Sequence, residues 1–134
     1  MDVVYLLGRI LFAMIFIGSG FGHLTQLDAT AQYAQSKGVP APKLMTAVTG
    51  LMMLAGGFSV MLGFWMEIGT WLIVIFLLPA AFIMHNFWTV QDPMQKQMEM
   101  AHFMKDLSMA GAALILYWVI QTSGYGPFTI GLGM

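Results

Sequence analysis

The chain contains no cysteine. That absence removes disulfides, thiolate metal sites, iron–sulfur clusters and any thiol relay, so electrons in a redox role would have to ride on another carrier. Charge is almost as scarce: only 8% of the 134 residues are Asp, Glu, Lys or Arg, and the net charge is −1. No basic patch exists to hold nucleic acid. There is also no long polar stretch from which a separate soluble domain could be built, so residues 1–134 read as a single membrane domain. The first apolar run lacks a basic n-region and an A-x-A-like cleavage site, and reads as a helix rather than a signal peptide.

What the chain does have is apolar length. Hydrophobic residues make up 59% of it. Four runs, at about residues 3–22, 44–64, 68–88 and 100–120, each approach the roughly 20 residues that cross a hydrocarbon core about 30 Å thick. The expected fold is all-α: an integral membrane antiparallel bundle of four transmembrane helices, with lipid as its first partner. Between the first two spans, Asp28 could N-cap a short interfacial helix over Ala29 to Lys37, ended by Gly38, before Pro40-Ala41-Pro42 forces an extended exit. Gly18 and Gly22 have a small-xxx-small spacing, and with Gly50, Ala55, Gly56, Gly57 and Ala110 to Ala113 they mark faces where helices can pack closely. Pro79 interrupts the third span and frees the carbonyl of Ile75. The tail from Thr122 to Met134 is too rich in glycine for a helix, and is expected to lie along the interface or to be disordered. Fourteen methionines are read as adaptable packing, and Trp65, Trp71, Trp88 and Trp118 as anchors in the membrane's aromatic belts. Lys37, Lys43 and Lys96 fall on the face opposite the termini and Arg9 does not, which favours cytoplasmic loops.

Antiparallel helices bring one set of polar residues together at a single membrane face: His23, His85 with Asn86, and His102 with Lys105 and Asp106. His102 and Asp106 are four apart and share a helix face, whereas adjacent Lys105 and Asp106 point apart and each needs a partner on another helix. Ionisable groups in a bilayer are costly, so these either close into a structural network or bind the polar head of an apolar molecule such as a quinone or a lipid. Haem or metal ligation is the weakest reading, because no H-x-x-H or H-x-x-x-H spacing exists. On the opposite face, Arg9 and Glu67 are expected to form a structural ion pair, with snorkelling of Arg9 or the guiding of an anion as alternatives.

Gly8-Arg9, Gly20 with His23-Leu24, Ser36-Lys37-Gly38-Val39-Pro40-Ala41-Pro42, His85-Asn86-Phe87-Trp88 and Ala101-His102-Phe103-Met104-Lys105-Asp106-Leu107 resemble, in that order, the DoxX family of small membrane proteins. Asp106 stands where members often carry asparagine, and Asn86 where they often carry aspartate. The resemblance implies a multi-pass protein of a bacterial-type inner (plasma) membrane. It also implies association with redox systems, since relatives include subunits of a thiosulfate:quinone oxidoreductase and of a membrane complex with superoxide dismutase and a sulfurtransferase. A non-catalytic or quinone-handling subunit follows, with redox-protein subunits as partners. His85, His102 and Lys105 would hydrogen-bond the quinone head, Trp88 and Phe103 would flank its ring, and Asp106 would hold His102 or take up a proton. The rival is a transporter or lipid-binding scaffold without a redox role, for which a homo-oligomer would supply a second half.

Overall fold

The computed structural model describes residues 1–133; Met134, the last residue of the expected tail, lies outside them. Five helices follow one another: α1 (Asp2–Thr25), α2 (Leu27–Ser36), α3 (Pro42–Leu62), α4 (Met66–Met84) and α5 (Pro93–Ser123), with one 3₁₀ turn at Phe87–Thr89. No strand occurs among the described residues. Four of the helices are long and apolar enough to span a bilayer, and the fifth, α2, lies in the connection between the first two spans. Phe16, Met53, Val60, Ile73, Val74, Leu77, Ala110 and Ala113 meet in the core. Outward faces carry large apolar side chains such as Leu11 (69% exposed), Ile75 (56%) and Ile115 (67%), a pattern that water would penalise and lipid does not. All four tryptophans also face outward.

Close approach of α1 and α3 depends on missing side chains. A Cβ on Gly20 would lie 2.8 Å from Leu54 Cγ and 2.9 Å from the carbonyl oxygen of Gly50. Gly18 and Gly22, the pair with the small-xxx-small spacing, have nothing within 4 Å of a Cβ position. The packed stripe of α1 instead runs Arg9, Ala13, Phe16, Gly20, which keeps a 3–4 residue step and turns Gly18 away from the bundle.

Several expected boundaries move. The short helix begins two residues earlier, capped by Gln26 without a side-chain bond, and Asp28 pairs with Lys43 at 3.2 Å instead of capping. Gly38 does close it, at φ +82°. Ala41 sits in the left-handed region, at φ 44°, and Pro42 opens α3 at its first turn rather than ending an extended exit. The third apolar span runs to Thr89, but its α-helix ends at Met84, where the chain breaks at His85-Asn86 into the 3₁₀ turn. The fourth starts at Pro93, not near Met100: Asp92 accepts a hydrogen bond from the Gln95 amide at 3.0 Å and Pro93 occupies the first turn. With 31 residues α5 is about 46 Å long. It therefore outruns a hydrocarbon core about 30 Å thick.

The tail is ordered: it folds back over the terminus side of the bundle. Ile130 and Gly131 amides donate to the carbonyls of Leu62 and Gly63, both at 2.9 Å, and the Trp65 amide donates to Leu132 at 2.7 Å. Tyr125 is 1% exposed; its hydroxyl donates to Glu67 and accepts from the Met66 amide. Arg9, 3% exposed, donates to the carbonyls of Pro127 and Phe128 and stacks on the Tyr5 ring at 4.9 Å. The expected Arg9–Glu67 ion pair is therefore replaced by two separate attachments of the tail, because its backbone and Tyr125 reach each group first.

Candidate functional site

At the α2 side, the end of α4, the start of α5 and α2 itself converge. Their geometry is set by an aromatic cluster. Phe82, Phe87 and Trp88 surround Phe103 edge-on, with ring centroids 5.2, 5.4 and 5.7 Å from it. Such pairs contribute about 0.5–1.5 kcal/mol each beyond burial, and they clamp the 3₁₀ turn onto α5. His85, just before that turn, is thereby aimed at one face of α5.

That face carries Glu99, His102, Phe103 and Asp106, a helical stripe at i, i+3, i+4 and i+7. His85 Nδ1 lies 2.8 Å from Glu99 Oε2, and its Nε2 lies 3.7 Å from Asp106 Oδ2. The first is a charge-assisted hydrogen bond in which the Nδ1–H donates, leaving Nε2 directed at Asp106. His102 stacks behind His85 with centroids 5.0 Å apart, and its Nδ1 accepts from Lys105 Nζ at 3.4 Å. From α2, Tyr33 donates its hydroxyl proton to Glu99 at 3.2 Å, and Lys37 donates to the Asn86 side-chain carbonyl at 3.1 Å. Burial pushes the Tyr33 phenol above its ordinary value of 10.0, and the neighbouring Glu99 carboxylate pushes it the same way.

Behind this network lies a cavity of about 490 Å³. Its walls are largely apolar, with Phe16 and Met53 from the core, Phe76 and Pro79 from α4, and Ala34 from α2 as a roof. His23, Tyr33, His85, Lys105 and Asp106 border it. His23 is held by its own helix, its Nδ1 donating to the Ser19 carbonyl at 2.9 Å. Pro79 and Ile75 both line the cavity, and the proline leaves the Ile75 carbonyl without a helical donor.

The expected residues thus divide into four groups. His23, His85, Lys105 and Asp106 border the cavity; Asn86 faces α2; Trp88 and Phe103 belong to the aromatic cluster and do not line the cavity, so they are not placed to flank a ring bound in it. His102 stands behind His85 rather than beside a ligand. Glu99, which is central to the network, was not anticipated. Its signal was the three-residue step to His102 and seven-residue step to Asp106, hidden because the fourth span was expected to begin after it. No group of three or more His, Asp or Glu side chains able to hold a metal ion occurs among the described residues.

Four apolar spans with lipid-facing outer surfaces, joined by short connections and closed at one end by a polar network, define a multi-pass integral membrane protein. A model of the DoxX family matches residues 4–86, and the chain belongs to that family. It is 30% identical over 129 residues to inner membrane protein YqjF of Escherichia coli (strain K12), a match covering 96% of this chain and 90% of that protein. No solved structure matches it. It is accordingly a protein of the inner-membrane type. The family match ends at Asn86, so the α5 half of the polar network lies beyond it.

Proposed function

We propose that this protein binds a quinone or a similar amphiphile in the cavity beneath α2, as a subunit that holds or hands on the carrier in a redox-associated membrane system. The observation that carries the reading is the shape and chemistry of the cavity: about 490 Å³ of largely apolar space with His85, Lys105 and Asp106 at its polar border. A ligand with an apolar body and a head of hydroxyl or carbonyl oxygens matches that division. The absence of cysteine supports a role in which the bound molecule, not the chain, carries electrons. Lys105 serves as the head-group donor in this reading, His85 Nε2 as an acceptor, and His102 supports His85 from behind.

The test is native mass spectrometry, with an optical spectrum, of protein freshly purified in mild detergent. A stoichiometric quinone lost in His85→Ala supports the reading. Recovery of phospholipid alone, equally in both proteins, would replace it with that of a lipid-binding scaffold.

A further inference from the structure

Asp106 is an acidic group buried in the fourth span, and among the described residues its one side-chain partner is a long ion-pair contact with His85. It is 5% exposed and borders the cavity, and its contact with His85 Nε2, at 3.7 Å, is too long for a hydrogen bond. Among the described residues its carboxylate accepts no hydrogen bond, and a carboxylate at the edge of an apolar space is costly to keep. Glu99 stands two turns away along α5, about 10 Å nearer the water on the α2 side. His85 bridges the interval, touching Glu99 through one ring nitrogen and facing Asp106 with the other. The Asp106 side chain is the least exposed of the three, at 7%, while His85 and Glu99 are both about 20% exposed.

We propose that Asp106, His85 and Glu99 form a proton path between the cavity and the water on the α2 side. This rests on the cavity being a ligand site, since the ligand's head group is what the path would serve. The step balances without electrons. The O–H bond of protonated Asp106 breaks as an N–H bond forms at His85 Nε2; the proton on His85 Nδ1 passes to Glu99 Oε2, and Glu99 releases it to water. Reprotonation of Asp106 by a hydroxyl of the ligand head, and tautomerisation of His85, reset the chain. Rotation of the Asp106 carboxyl, or one intervening water, closes the 3.7 Å gap. The other groups facing the path are His102 and Lys105 on α5, Tyr33 on α2 and Lys37 just after it. The lysines supply positive charge that opposes proton build-up on His85, while the Tyr33 hydroxyl holds Glu99 in line.

The path can be tested with the cavity empty. In unliganded protein at a pD low enough to protonate Asp106, its infrared carbonyl band, assigned by its loss in Asp106→Asn, shifts as H exchanges for D. Exchange is expected to slow roughly a hundredfold in Glu99→Gln, at the low end of what a positioned acid–base group contributes. Glu99→Asp should recover most of the rate, which a merely structural role for the hydrogen bond would not require. Should Glu99→Gln fail to fold, His85→Gln gives the same readout. Wild-type exchange rates in the folded variant would overturn the proposal and leave the three residues as a structural lock. Binding of a decyl-chain benzoquinol is measured separately: its failure to bind wild-type protein counts against the cavity reading, while the exchange rates alone decide the path.

Discussion

Replacing Gly20 with alanine adds one methyl group at the tightest point of the α1–α3 crossing. The new carbon would sit 2.8 Å from Leu54 Cγ and 2.9 Å from the Gly50 carbonyl oxygen, about 0.6 and 0.5 Å inside the 3.4 Å at which ordinary contact begins. The leucine can rotate, but the carbonyl belongs to a helix and cannot, so α1 and α3 must move apart. A radial gap of about 0.5–1 Å already forfeits a quarter to a half of each dispersion contact along the seam, and overpacking of this kind costs about 1–3 kcal/mol. The same change at Gly18 or Gly22 meets nothing within 4 Å and should fall within about 0.5 kcal/mol of wild type. Equilibrium unfolding in mixed micelles, followed by circular dichroism, measures all three. Adding Leu54→Ala to Gly20→Ala should recover only part of the loss, because the backbone contact remains. If Gly18→Ala or Gly22→Ala proves the more damaging, α1 packs through the opposite face and the bundle described above is wrong.

Arg9→Leu should release the tail: the two carbonyls at Pro127 and Phe128 lose a charged donor, worth about 1.5–3 kcal/mol per hydrogen bond, and limited proteolysis should cut residues 124–133 much faster while the spans stay protected. Phe103→Ala removes the centre of the aromatic cluster and should cost about 3–5 kcal/mol; hydrogen exchange at residues 85–92 should rise first, and uniform protection there would refute the clamp. Because the Tyr33 phenol is raised above 10.0, its contribution to stability is complete below that pH and is lost as pH rises through the higher folded value. In an alkaline absorbance titration, the step missing from Tyr33→Phe should accordingly lie above the ordinary tyrosine range; a step at or below 10 would contradict the Glu99 contact.

How much of this was legible beforehand differs from residue to residue. His85, Lys105 and Asp106 could be placed together because antiparallel spans leave few choices for which helix ends share a face. Glu99 could not, since its membership depends on where α5 begins, and hydropathy alone placed that start after it. Trp88 was legible as a belt anchor or a pocket wall and Phe103 as a pocket wall, whereas their clamp around the 3₁₀ turn depends on where α4 breaks, which composition does not encode.

Hydropathy by itself determined that the chain crosses a membrane four times as an antiparallel α-helical bundle, because a backbone in hydrocarbon must satisfy its hydrogen bonds within each helix and a run of about 20 apolar residues has no better environment. Tertiary structure alone decided which face of α1 packs, that Arg9 and Glu67 hold the tail rather than each other, and that a cavity opens beneath α2 with Asp106 at its edge. Those outcomes depend on approach distances of a few tenths of an ångström and on partners as far apart in sequence as Arg9 and Phe128, and no local pattern encodes which of several possible partners arrives first.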